Sequence, residues 1–115
     1  MQGRDQSVIE HIYEYCKEIK EELEQIGQDK DKFIASKVYK NSLALCVLQI
    51  GELVTLLSDD YKESKNGVEW KSIKGMRNVV AHKYGSFDFD VLWETVMEDI
   101  PKLMVFCESE LKNNI

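Results

Sequence analysis

The chain has 115 residues, a net charge of −6, 43% hydrophobic and 31% charged residues, and a single proline. That length allows one domain with one core, so residues 1–115 are expected to form one helical domain of ordinary globular composition. No apolar run reaches membrane-spanning length, the start Met1-Gln-Gly-Arg-Asp-Gln6 lacks a signal-peptide core, and the acidic balance weighs against a broad nucleic-acid-binding face; the expectation is a cytoplasmic protein with no membrane partner.

A first helix is predicted from about Asp5 to Ile26. Ile9, Ile12, Cys16, Ile19, Leu23 and Ile26 recur every three or four residues as one apolar stripe, and Gly27 is placed to end it. His11 falls off that stripe, among acids, as a surface histidine. Asp29 or Asp31 can cap a longer second helix reaching about Ser58. Its later half, Leu43 to Ile50 followed by Leu53, Val54, Leu56 and Leu57, is apolar around most of its circumference. Such a helix is buried on more than one side, either as the centre of the bundle or against a second copy of the chain. Gly51 inside this run costs about 1 kcal/mol relative to alanine, which points to a close helix contact there.

Residues 59–67 read as a polar connection. A third helix takes Val68 to about Lys83, the segment from Gly85 to Asp90 makes a turn, and Asp88 or Asp90 starts a last helix. Val91, Leu92, Val96, Ile100, Leu103, Cys107 and Leu111 form its predicted inner side. Pro101 removes a backbone donor, so a kink or break is expected near Asp99. The pattern is all-α, a four-helix bundle counted as five if Pro101 splits the last helix. The three cysteines, Cys16, Cys46 and Cys107, are odd in number, widely spaced and set in apolar patterns. They read as buried reduced thiols, with neither a disulfide framework nor a metal site.

Charge is unevenly spread. Residues 65–85 hold Lys65, Lys71, Lys74, Arg77 and Lys83 against Glu69, a local balance of +4 that leaves −10 for the rest of the chain. A compact basic spot on an acidic body suits a phosphate-bearing ligand, and equally describes a solvated helix face. A helical wheel over 70–83 puts Ile73, Met76, Val79 and Val80 on a core side with Trp70 at its edge. Lys71, Lys74, Asn78 and His82 lie opposite, Asn78 and His82 stacked at i and i+4, and Arg77 sits at the boundary.

The motif Arg77-x-x-x-x-His82-x-Tyr84, with Asn78 directly after the arginine and Gly75-Met76 before it, resembles the signature of the HepT-like branch of the HEPN domains. Gln49-Ile-Gly-Glu52 is similar to that branch's Ile-Gly-Glu element. Trp70-Lys-Ser-Ile-Lys-Gly75 matches the lead into its motif, and Val91 to Val96 with Asp99 to Leu103 matches its last helix. The likeness covers most of the chain from about Leu43 to Leu103.

The resemblance implies a HEPN-type helical bundle that forms a homodimer, and an endoribonuclease that needs no metal or cofactor. It further implies a toxin of a type VII-like pair, whose partner is a minimal nucleotidyltransferase antitoxin of the MntA type. Arg77 and His82 would carry cleavage, with Asn78 as the polar residue after the arginine. Lys71, Lys74 and Lys83 would add weaker phosphate contacts. Tyr84 matches the tyrosine to which such antitoxins transfer AMP, silencing the toxin.

Elementary chemistry is consistent with that reading. RNA is cleaved without a metal when its 2′-hydroxyl attacks the adjacent phosphate. The route needs a base, an acid and a cation for the phosphorane-like transition state. Histidine titrates near neutrality, and an arginine fork donates two parallel hydrogen bonds to phosphate oxygens. One chain offers one histidine in this region, so two outward stripes facing each other would complete the set. The alternative reading is a catalytically inactive helical partner subunit of the nucleotidyltransferase, holding a nucleotide or an acidic surface at the same basic stripe. A third, a purely structural helical dimer, is disfavoured by the outward placement of Asn78 and His82.

Overall fold

A computed structural model describes residues 3–83 and 89–113, with the backbone alone for 79–83. Among the described residues the elements are α1 (Gly3–Gln25), α2 (Lys30–Ala35), α3 (Lys37–Leu56), α4 (Asp59–Ser64), α5 (Trp70–Lys83), α6 (Phe89–Glu94), a π-helical turn (Thr95–Asp99) and α7 (Ile100–Lys112). The long stretches α1, α3, α5 and α6–π–α7 make the expected all-α bundle, and the described residues include no strand.

The amphipathic stripe of α1 is buried as predicted, Ile9, Ile12, Cys16, Ile19, Leu23 and Ile26 being at most 6% exposed. The helix ends one residue before Ile26. The Gln28 N–H reaches back to the Leu23 carbonyl at 2.8 Å and that of Gly27 to Glu24 at 3.0 Å, a Schellman closure that needs the left-handed backbone of Gly27, φ +63.

The predicted helix from Asp29 to Ser58 is two helices. Asp29 caps α2, its carboxylate accepting from the Asp31 and Lys32 amides at 2.9 and 3.3 Å. Ser36 then breaks the run: its backbone is extended and its hydroxyl accepts from the Tyr39 amide at 3.2 Å. A serine oxygen that captures a nearby amide competes with the helical ladder and opens a new N-terminus. The break turns Phe33 inward, where it is fully buried against the rings of Phe89 and Trp93.

The supposed polar connection 59–67 holds the short helix α4. Ser58 caps it, accepting from Tyr61 N, while its own N–H and hydroxyl donate to Asp5 on α1 at 2.8 and 2.7 Å. Tyr61 is buried and its hydroxyl donates to Glu110 at 2.6 Å, and the second oxygen of Glu110 lies 3.3 Å from Lys65 Nζ. Two acids in the first turn after a serine cap suit the positive end of a helix, and Tyr61 supplies the core contact.

Pro101 lies at the start of α7, and the irregularity expected near Asp99 is the π turn just before it. The i→i+5 bonding of such a turn accommodates an extra residue. It keeps Leu92, Val96 and Ile100, spaced four and four, on one buried face, continued by Leu103 and Cys107. Val91 departs from the prediction: it is 41% exposed, because it falls next to Leu92 on a helix whose inner face Leu92 already fills. Leu111 is half-buried.

α3 is the organising helix, packing on α1 along one side and on α5 along the other, with α1 also lying against α7. Leu43, Ala44, Cys46, Val47, Ile50, Gly51 and Val54 are buried. Val38, Leu45 and Leu56 are 74%, 54% and 45% exposed. At 100° per residue these three share one stripe, on which the polar Asn41, Gln49 and Glu52 lie between them. All three cysteines are buried and free. No helix among the described residues is long and apolar enough to cross a membrane.

Candidate active site

α5 begins where Trp70 is fixed from two sides. Its indole N–H donates to the Lys65 carbonyl at 3.1 Å, and its ring meets Phe106 edge-on at 5.6 Å. Ile73 and Met76 pack toward the core, while Lys71, Lys74 and Asn78 are exposed. The described part of the wheel therefore divides as predicted. The side chains of Val79, Val80, His82 and Lys83 lie outside the described residues, as does Tyr84 altogether. The backbone of His82 is helical and lies one turn beyond Asn78.

At Arg77, α5 lies directly against α3. A Cβ added to Gly51 would stand 2.1 Å from Arg77 Cβ and 3.3 Å from its Cα. Only glycine permits that approach, the close contact the sequence suggests at this position. The next residue, Glu52, receives the arginine: Nε donates to its Oε1 at 2.5 Å, and Nη1 donates to Asn78 Oδ1 at 2.5 Å. The pair is partly open to water, with Arg77 29% and Glu52 45% exposed at the side chain. Neither bond uses Nη2, so among the described residues the guanidinium keeps donors that can meet an anion.

Glu52 closes the Gln49 to Glu52 element, and no local pattern in the sequence links it to Arg77. The available signal is an acid directly after a helix-interior glycine. Lys65, counted in the basic window, turns away to Glu110, leaving Lys71 and Lys74 as the described lysines exposed on α5.

Two other features were candidates for chemistry. A cavity of about 680 Å³ opens between α5 and α7, floored by Val47, Ile50, Ile73, Met76, Leu103 and Phe106. It lies on the core side of α5, and its lining includes neither Arg77 nor Asn78. Glu18, Glu22 and Cys46 bring ligand atoms within 4.8 Å of one another. Burial first, then the neighbouring Glu18 and Glu22, push the Cys46 thiol up to about 12. It stays protonated at neutral pH, which makes it a poor metal ligand there.

Comparison with known proteins bears on α5 and its support together. The model of the family described as "Ribonuclease HepT-like" matches residues 12–110. "Putative RNase TTE0752" of Caldanaerobacter subterraneus subsp. tengcongensis is 30% identical over 95 residues, covering 83% of each chain. "Putative RNase MJ1380" of Methanocaldococcus jannaschii is 35% identical over 75 residues, 65% of this chain and 69% of that one. "Probable ribonuclease HepT" of Thermococcus cleftensis is 30% identical over 95 residues, 78% of this chain and 86% of its own. No solved structure matches. The family match spans α3 and α5 whole, the two helices that meet at Gly51 and Arg77, and makes the chain a member of the HepT-like ribonuclease family of HEPN-type bundles.

Proposed function

We propose that the chain is an endoribonuclease that cleaves RNA by attack of a 2′-hydroxyl on the adjacent phosphate, without a metal. In that step the 2′-oxygen bonds to phosphorus while its proton passes to a base. The bond to the 5′-oxygen breaks, and an acid protonates the leaving oxygen. His82 serves as base and acid, one copy from each of two chains. Arg77 binds the non-bridging oxygens as charge builds on them, with Lys71, Lys74 and Lys83 as weaker phosphate contacts. The observation that carries the reading is Arg77 itself: a partly exposed guanidinium on α5 whose Nη2 lies outside the two hydrogen bonds that Arg77 makes among the described residues.

The homodimer is part of this proposal. Glu52 lies on the same stripe of α3 as the exposed Val38, Leu45 and Leu56, so a second copy seated on that stripe would lie beside the Arg77–Glu52 pair. We further propose a toxin–antitoxin context, in which a minimal nucleotidyltransferase transfers AMP to Tyr84. The bulky anion would then occupy the phosphate site next to Arg77 and His82.

One experiment tests the chemistry. End-labelled RNA is incubated with the protein in chelator, and His82→Ala is expected to abolish cleavage with unchanged circular dichroism. Wild-type products should end in 2′,3′-cyclic phosphate. Equal cleavage by the two proteins would remove the mechanism. The acidic body outside the basic window, −10 in total, favours the alternative of an inactive partner subunit, and a wild-type protein that cuts no RNA would establish it. Intact mass after co-expression with a minimal nucleotidyltransferase, with peptide mapping of any AMP-sized addition, tests the modification of Tyr84.

A further inference from the structure

We infer that Gly51 and Glu52 form a cradle that sets the direction of the Arg77 guanidinium, and that Glu52 and Asn78 are positioning residues for it. The inference rests on the ribonuclease reading for its catalytic half only; its geometric half stands on the contacts themselves.

Three observations converge. Gly51 lets the Arg77 backbone and Cβ lie directly on α3, a place no residue with a Cβ could share. That fixes where the side chain starts. Glu52 accepts from Nε and Asn78 from Nη1, which fixes how it ends. An arginine has several rotatable bonds, and anchoring its root and two of its three guanidinium nitrogens removes most of that freedom before an anion arrives.

An ion pair this open to water contributes little to stability, and a carboxylate beside a phosphate-binding arginine opposes anion binding. Glu52 is therefore poorly explained as a stabilising residue or as a binding residue. Orientation accounts for it: with Glu52 on Nε and Asn78 on Nη1, the plane of the guanidinium is set and Nη2 lies outside these two bonds, a donor for a phosphate oxygen. Asn78 then belongs with the support of Arg77 rather than among the groups that touch RNA.

The chain holds two arginines, Arg4 and Arg77, which makes the geometric half directly measurable. In a full-length Arg4→Lys protein with ¹⁵N-labelled arginine, the single remaining Nε–H signal belongs to Arg77. It is expected to be slow to exchange with water in that background and with Glu52→Gln added, whose amide oxygen can still accept. With Glu52→Ala it should exchange rapidly. An equally protected signal in Glu52→Ala would overturn the cradle.

In the cleavage assay, Glu52→Ala is expected to lower kcat about 10- to 100-fold while leaving KM the same or lower, because a negative charge has gone. Glu52→Gln should recover most of kcat. A rise in kcat for Glu52→Ala would show a restraining latch, and a rise in KM alone would make Glu52 an RNA contact; either result overturns positioning. If the wild type cleaves no RNA, the ribonuclease reading fails, while the exchange measurement still decides whether Glu52 orients Arg77.

Discussion

Glycine inside a helix ordinarily weakens it, and replacement by alanine gains about 1 kcal/mol. At Gly51 the sign should reverse. The new Cβ would stand 2.1 Å from Arg77 Cβ, and relieving that overlap by parting α3 from α5 costs about 1–3 kcal/mol. Gly51→Ala is thus expected to lower the urea midpoint of unfolding, and an unchanged or raised midpoint would mean that α5 shifts freely. At this scale the sequence shows much of the site. A glycine in an apolar run points to a close contact, and the wheel puts Arg77 at a boundary. What it does not show is the partner, since Glu52 is 25 residues from Arg77 in the chain and local periodicity carries no information about which helix lies opposite. The side chains of His82 and Lys83, and Tyr84 altogether, are beyond the described residues and stand on the motif alone.

Among elements, the long helices follow from their apolar stripes, because burial of a continuous face dominates their energetics. Short ones do not. The break at Ser36 and the helix after Ser58 are each decided by one hydroxyl accepting one backbone N–H, an effect of about 1 kcal/mol that leaves no periodic trace. α4 is held by what its middle residue reaches. Tyr61→Phe removes the donor to Glu110, a side chain only 11% exposed, and should destabilise the protein by about 1–3 kcal/mol. Lys65 remains on the other carboxylate oxygen, which sets the loss short of a stranded charge. Chemical denaturation of the two proteins at neutral pH checks this; equal midpoints would mean that water replaces the phenol without loss. The π turn belongs here too: Pro101 marks its place, while its type depends on keeping Leu92, Val96 and Ile100 aligned.

For the molecule as a whole, the thiols set a pH limit. Burial, with smaller contributions from nearby acids, pushes Cys46 and Cys107 up to about 12, and Cys16 higher still by burial and its two fellow thiols. An unfolded thiol titrates near ~8.5. Between those values the folded chain holds protons that the unfolded chain has lost. Stability from this source is therefore complete below pH ~8.5 and falls as pH rises toward about 12. Urea midpoints measured from pH 8 upward should decline, and a thiol reagent should stay unreactive until the chain unfolds. A flat profile, or prompt labelling of the native protein, would contradict the buried placement. Fold class and thiol burial are both legible in the sequence because they are averages over many residues. The exposed stripe of Val38, Leu45 and Leu56 is only half legible, since an all-round apolar helix does not say which of its sides the chain itself will cover.

The contact at Gly51 also acts as a fulcrum. α5 bears on α3 at Arg77, and the backbone of His82 lies five residues farther along the same helix, about 7.5 Å at 1.5 Å per residue. A tilt of about 10° at the fulcrum would carry that point by roughly 1.3 Å along this lever arm, a displacement on the scale that disables an acid–base group. Angular tolerance at a glycine in one helix therefore bounds positional tolerance at a histidine in another.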